Sequence, residues 1–186
     1  MSDFPQAKVF IETGFGGGAT LNYAVQHNFE EIHSIESDPQ LFEQGKAKFS
    51  ANKSVTIHQG DSRDILPLII TPDKSTCFWL DAHWSGGNYR EIKPEDECPL
   101  MGELLAITSV KWKEWPLLLI DDSYFFDRTW WEIYEDGEPY HKDAWPSLDE
   151  IQRALPKYQI TNFAGVLVCV PPGYSGQIVV AGRTFP

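Results

Sequence analysis

The chain has 186 residues, is 42% hydrophobic and carries a formal net charge of −12. That length suits one domain spanning residues 1–186 with a single covered core, and a second domain is not expected. The acidic balance, with no Lys/Arg run, excludes a broad nucleic-acid or anionic-membrane footprint, and no apolar segment reaches the ~20 residues of a membrane-spanning helix.

Short β-rich runs alternate with longer helical patterns along the chain. They read as strands over 8–12, 31–35, 55–58, 76–81 and 117–121, and as helices over 19–27, 40–51, 62–70 and 100–111. This rhythm predicts an α/β fold of the Rossmann-like, doubly wound type, a mostly parallel sheet with helices on both faces. Residues 147–155 read as a further helix. Three late strands, 157–163, 165–170 and 177–181, have no helix between them and predict an antiparallel C-terminal edge. The opening Met1-Ser2-Asp3-Phe4-Pro5-Gln6 has no basic region followed by an apolar stretch. Cys77, Cys98 and Cys169 lack metal-ligand spacing, so a soluble chain in a reducing, cytoplasmic compartment is expected. Residues 124–146 break the rhythm with a mixture of aromatics and acids. They are either core-packing helix or an aromatic lid over a pocket.

In open parallel sheets ligands lie beyond the carboxyl ends of the strands. Here those ends carry Glu12, Glu36, Gln59-Gly60-Asp61, Asp81-Ala82-His83 and Asp121-Asp122. After the first strand, Thr13-Gly14-Phe15-Gly16-Gly17-Gly18-Ala19 turns tightly into a helix, and glycine lets a ligand approach the backbone closely. Gly14-x-Gly16-x-x-Ala19 matches the dinucleotide pattern, with Glu36 about 20 residues beyond. On that motif alone the ribose held by Glu36 belongs equally to NAD or to S-adenosylmethionine.

The order Ile11-Glu12-Thr13-Gly14-x-Gly16-Gly17-Gly18, Ser34-Ile35-Glu36-Ser37-Asp38, Gln59-Gly60-Asp61-Ser62 and Leu80-Asp81 resembles the successive motifs of class I S-adenosylmethionine-dependent methyltransferases. The resemblance covers residues 8 to 123. It implies that Glu12 faces the amino-acid part of the cofactor, with Gly14, Gly16, Gly17 and Gly18 beneath it and with Thr13 and Asp81 also among the cofactor-binding residues. Glu36, with Ser37 beside it, binds the ribose, and Asp61, with Ser62, binds the adenine amino group. The chemistry agrees, since this ligand carries a sulfonium and an ammonium but no phosphate, and a pyrophosphate would find Glu12 and Asp81 repulsive. Asp61 has a plainer reading as the N-cap of the helix starting at Ser62.

Within those enzymes, Phe78-Trp79-Leu80-Asp81-Ala82-His83 and Leu118-Leu119-Ile120-Asp121-Asp122 look like the metal-dependent O-methyltransferases, the macrocin-type sugar enzymes more than the catechol type. By that likeness Asp81, Asp121 and Asp122 hold magnesium, which prefers oxygen ligands and keeps room for two substrate oxygens. Asp121 or Asp122 capping the following turn is the alternative. His83 departs from the macrocin pattern, which has a second Asp there. It is open as ligand, structural histidine or, with Asp81, part of the catalytic apparatus as a general base, its ordinary pKa of ~6.5 being suited to that task. His141 is a second, weaker candidate, and His27, His33 and His58 read as element ends or surface.

The expected activity is transfer of a methyl group to a hydroxyl of a small polar acceptor, a sugar being one candidate. The stretch before the first strand has no room for the helical cap many relatives carry. Acceptor contacts then come from residues 84–97, from 124–145 or from another subunit of a homo-oligomer. An NAD(P)-dependent oxidoreductase is one competing reading, and a non-catalytic S-adenosylmethionine-binding protein of the same fold is the other.

Overall fold

The computed structural model describes residues 7–84, 93, 96–129 and 141–174, together with the backbone of 178–180 and 183–185. Seven strands form one sheet in the order β3-β2-β1-β4-β5-β7-β6: β1 (Val9–Thr13), β2 (Glu31–Glu36), β3 (Val55–Gln59), β4 (Thr76–Leu80), β5 (Leu117–Ile120), β6 (Gln159–Phe163) and β7 (Val166–Val170). The first five are parallel, while β7 is antiparallel to both β5 and β6. The helices are α1 (Ala19–Ala24), α2 (Pro39–Phe49), α3 (Ser62–Ile69), α4 (Leu100–Thr108) and α5 (Leu148–Ala154). This is the expected mostly parallel sheet with an antiparallel C-terminal edge, with one correction. The late strand expected over 177–181 does not join the sheet, because Ile178–Val180 pairs instead with Arg183–Phe185 in a separate hairpin.

The two-residue period of the strands sends alternate side chains to two apolar layers. Val9 and Ile11, Phe78 and Leu80, and Leu118 and Ile120 join Leu66, Leu104, Ile107 and Ile151 of α3, α4 and α5. Phe10, Cys77, Leu117 and Leu119 join Leu21, Ala24 and Phe49 of α1 and α2. Both faces are covered, which explains the near-continuous apolar runs of the central strands. Three helices start on named caps. Asp38 accepts from the Gln40 and Leu41 N–H groups, Asp61 accepts from Arg63 N–H, and Ser147 and Glu150 form a reciprocal capping box. Among the described residues, no helix is long and apolar enough to cross a membrane.

Strand order reverses between β1 and β4, so the crevice of the sheet opens above their carboxyl ends. Glu12, Gly14, Gly16, Gly17, Glu36, Asp61 and Asp81-Ala82-His83 all line it.

Candidate functional site

The floor of the crevice is a backbone crossing. A Cβ on Gly14 would sit 2.2 Å from the Asp81 carbonyl oxygen, and Gly14 has φ +81°, so two separate constraints demand glycine. The Asp81 N–H donates to the Thr13 carbonyl at 3.0 Å and lies 3.2 Å from the Thr13 hydroxyl, which locks the β4 exit to the β1 exit. The loop beyond is held from outside. Glu36 accepts from Gly16 N–H at 3.1 Å and Asp38 N–H at 2.8 Å, and Lys48 Nζ donates to the Gly17 carbonyl at 3.1 Å. Glu36, buried to 7% exposure, is therefore a brace of the glycine loop as well as a wall of the crevice.

The resulting cleft has a volume of about 250 Å³. Glu12, Glu36, Asp38, Asp61, Asp81 and Asp96 all line it, alongside Gly14, Gly16, Gly17, Ser37 and Ser62, and none of its described lining residues is Lys or Arg. Glu12 is 1% exposed and accepts a short hydrogen bond from the Ser34 hydroxyl. Burial, reinforced by Asp81 and Glu36, pushes its carboxyl up to about 8 against that bond. Six acids with no Lys or Arg among the described lining residues make a cleft that favours a cation over a phosphate.

Asp61 serves the helix, as its plainer reading held. Oδ1 accepts from the Arg63 backbone N–H and from Nε, both at 2.9 Å, and Oδ2 accepts from Nη2 at 2.6 Å. The same Nη2 reaches Asp96 Oδ1 at 2.7 Å, so Arg63 fastens two acidic lining residues to α3. Behind them Glu103 of α4 is 1% exposed, with Oε1 making no hydrogen bond, and its carboxyl is pushed up to about 7 chiefly by burial.

At the other end of the cleft the exits of β4 and β5 bring Asp81, His83 and Asp122 together. One ligand atom from each lies within 4.8 Å of the others. His83 Nε2 is 3.0 Å from Asp122 Oδ2, and Nδ1 is 3.3 Å from Asp81 Oδ1. Asp122 reaches this position through a left-handed backbone, φ 51°, which Asp tolerates better than most residues. Burial opposes charge on the imidazole, but Asp122, Asp81 and Asp121 outweigh it and raise the His83 pKa. The same contact holds the Asp122 carboxyl below the usual range despite burial. Asp81, more deeply buried and beside two further acids, is pushed up to about 7 although His83 works against this. Asp121 is not in the cluster. Its Oδ1 accepts from the Asp122 N–H at 2.9 Å, and burial raises its carboxyl pKa.

Aromatic rings back this histidine. Trp145 lies 5.0 Å from His83 between ring centroids and stacks on Phe125 at 4.2 Å. Phe125, Phe126 and Trp145 belong to the core, whereas Tyr124 is 39% exposed. Residues 130–140, the middle of the aromatic segment, and 85–92, the start of the expected acceptor loop, lie outside the described residues. His141 is occupied by Glu97. His33 and His58 sit within adjacent strands rather than at element ends, 3.1 Å apart through Nδ1 and Nε2. Sequence reasoning missed Glu97, Arg63 and Glu103. Only Glu103 left a signal, falling on the inward stripe of Leu100, Leu104 and Ile107 in an otherwise apolar helix.

No protein-family model matches the chain. A curated relative, a tRNA (guanine-N(7)-)-methyltransferase of Ruegeria sp. (strain TM1040), is 29% identical over 83 residues, 42% of this chain, and the match spans about a third (32%) of that protein's length. Among solved structures, the S-adenosylhomocysteine-bound Podospora anserina methyltransferase PaMTH1 aligns with a TM-score of 0.60 at 16% identity, covering 89% of this chain and 72% of that one. A Staphylococcus aureus protein assigned as a caffeoyl-CoA O-methyltransferase aligns with a TM-score of 0.60 at 13% identity, covering 89% and 76%. Streptomyces venezuelae DesVI aligns with a TM-score of 0.58 at 13% identity, covering 90% and 85%.

Proposed function

We propose that this chain, which has the class I methyltransferase fold, is an S-adenosylmethionine-dependent methyltransferase that methylates a hydroxyl of a small polar acceptor, a sugar being the first candidate. The observation that carries this reading is the cleft itself, with a glycine floor and six acids but no Lys or Arg among its described lining residues. The cofactor fits it chemically, because its sulfonium and ammonium offset buried carboxyls that a dinucleotide pyrophosphate would repel.

In this reading Glu12 and Asp81 face the cationic end of the cofactor, and Gly14, Gly16, Gly17 and Gly18 let it lie against the backbone. Glu36 and Ser37 receive the ribose, and Asp61 and Ser62 border the adenine. When bound, the cofactor supplies an electrophilic methyl group. His83 takes the proton of the acceptor hydroxyl. Its Nδ1 is the more loosely held nitrogen and faces Asp81, a wall of the cleft, while Asp122 on Nε2 supports the imidazolium that forms. Solved relatives of the fold include a protein assigned as an O-methyltransferase, which supports oxygen as the acceptor atom.

The proximity of Asp81, His83 and Asp122 favours a second reading of the same corner. Their mixed oxygen and nitrogen donors, with no Lys or Arg among the described lining residues of the cleft to compensate Asp81, fit a divalent cation such as magnesium. Such an ion, when bound, would lower the pKa of an acceptor hydroxyl. The unpaired cysteines suit a cytoplasmic setting.

Calorimetry with S-adenosylmethionine, S-adenosylhomocysteine and NAD, each with and without magnesium, tests both readings. At about 100 times its dissociation constant S-adenosylhomocysteine should stabilise the chain by ~2.7 kcal/mol, and NAD should not. Equal stabilisation by NAD overturns the methyltransferase. Full methylation of a confirmed acceptor after chelation removes the cation and leaves His83 as base.

A further inference from the structure

Glu97 is a buried acid with no role in the chemistry just described. It is 1% exposed, and its carboxyl group gathers three donors from far along the chain. The His141 backbone N–H lies 3.0 Å from each oxygen, His141 Nδ1 lies 2.9 Å from Oε2, and the Trp145 indole Nε1–H donates to Oε1 in a short bond. Its own carbonyl accepts from Trp84 N–H at 2.8 Å, one residue beyond His83. An acid with this many partners is expensive to bury and is not needed for packing, since an apolar side chain of similar volume would fill the space without the desolvation cost.

What the group determines is where Trp145 stands. The Trp145 ring is 1% exposed, and it is packed against His83 at 5.0 Å and on Phe125 at 4.2 Å. His83 has carboxylates at both nitrogens, and the stacked pair of Trp145 and Phe125 lies against one side of its ring, the indole nearer, so its tilt is limited by where that indole stands. An indole could slide or flip within an apolar pocket. The directional N–H bond to Glu97 fixes its rotation, because an indole has a single N–H donor and here it is given to Oε1.

We propose that Glu97 is a positioning residue for His83, acting through Trp145: its carboxyl orients the indole, and the indole sets the plane of the imidazole between Asp81 and Asp122. The assignment rests on the reading of His83 as the base. It also ties the exit of β4, through Trp84, to the stretch beginning at His141, so the same acid spans the corner where the acceptor would enter.

The test is nuclear magnetic resonance of the full chain, following the His83 ring nitrogens and the Trp145 indole N–H, the latter assigned with Trp145→Phe. Glu97→Gln keeps one acceptor oxygen within reach of the His141 backbone N–H but removes the charge and puts an NH2 donor in place of the second oxygen. Glu97→Asp keeps the charge and shortens the reach. In both variants the indole N–H and the His83 ring resonances should move together. Adding Glu97→Gln to Trp145→Phe should move His83 no further than Trp145→Phe does, since the two act along one route. The dissociation constant for S-adenosylhomocysteine should stay within about twofold, the scatter expected of an uncoupled site. His83 resonances that coincide with the wild type in a folded Glu97 variant overturn the proposal. Loss of the fold in both Glu97 variants overturns it too, reducing Glu97 to a structural residue. Failure of the wild type to bind S-adenosylhomocysteine defeats the methyltransferase reading separately, and the resonances still decide whether Glu97 orients His83.

Discussion

Replacing Glu12 with Gln keeps the shape of the side chain and an acceptor for the Ser34 hydroxyl while deleting the ionisable group, so it isolates what ionising this buried carboxyl costs the fold. Burial first, then Asp81 and Glu36, lift its pKa from 4.5 to about 8. The folded protein therefore holds this proton more tightly than the unfolded chain. The stability it contributes is fully present below 4.5 and is lost as pH rises through about 8. At ~1.36 kcal/mol per unit the whole shift is on the order of 4–5 kcal/mol, and about 2–3 kcal/mol of it falls between about pH 6 and about pH 9. For a chain of this length that corresponds to roughly 5–10 °C in Tm. Thermal unfolding of wild type and Glu12→Gln at both ends of the window measures it. Asp81 and Glu103 keep their own pH dependence in both proteins, so the quantity of interest is the extra loss in the wild type. Parallel curves for the two proteins would refute the desolvation argument. The same carboxyl makes a second demand: a sulfonium and an ammonium placed beside it favour ionisation, so binding S-adenosylmethionine near neutral pH should release protons. Calorimetry in buffers of different ionisation enthalpy should register that release and show less of it in Glu12→Gln.

Gly14→Ala should destabilise the fold by roughly 2 kcal/mol or more, because its Cβ meets the Asp81 carbonyl at 2.2 Å on a backbone at φ +81°. Gly17→Ala, with nothing within 4 Å of the added carbon, should change stability by no more than about 0.5 kcal/mol in urea titrations, and equal costs at the two positions would contradict the crossing described above. Glu36→Ala should weaken S-adenosylhomocysteine binding by at least about tenfold, each charge-assisted hydrogen bond contributing ~1.5–3 kcal/mol. It should also loosen the glycine loop, which hydrogen exchange at Gly16 would detect. Unchanged affinity in the folded variant would mean that the ribose lies elsewhere. His83→Ala should leave S-adenosylhomocysteine binding intact and reduce methyl transfer ~10²–10⁴-fold, and a folded variant of full activity would remove His83 from the chemistry.

The sheet was legible because its information is local. Alternating apolar and helical runs, caps at Asp38, Asp61 and Ser147, and turn glycines all specify elements without reference to distant residues. The rim of acids followed from topology, since parallel strands put their carboxyl ends on one side. What stayed hidden depends on contacts across the chain. Asp121 and Asp122 are indistinguishable as letters, but a left-handed φ at Asp122 turns that side chain toward His83, while Asp121 folds back on the next N–H. Arg63 gave no sign that it would hold Asp61 and Asp96 together, and Glu97 none that it would meet residues 44 and 48 positions away. The hairpin of Ile178–Val180 with Arg183–Phe185 shows the same limit for strands: periodicity marks a strand, not its partner.

The gradation of charge along the cleft bears on how a methyl group could leave. Transfer turns a sulfonium into a neutral thioether, so acids that attract the cofactor's cation oppose the loss of that charge if they stand fully ionised beside the sulfur. Asp81 sits where the cofactor cleft meets His83, and burial holds it up at about 7, half protonated near neutral pH. His83 and Asp122 are shifted the other way, toward an imidazolium and a carboxylate. Where His83 is neutral it can accept the acceptor's proton, and Asp122 stabilises the imidazolium that forms, so that the positive charge lost at the sulfur reappears on the imidazole and the net charge of the buried corner changes little during the step. On this argument burial keeps both Glu12 and Asp81 weakly charged so that the methyl group can go, while Asp122 is the carboxylate that works on His83. Asp81→Asn should then cost methyl transfer less than Asp122→Asn, which leaves the imidazolium without its carboxylate, and the reverse order in a single-turnover assay would sink the division of labour.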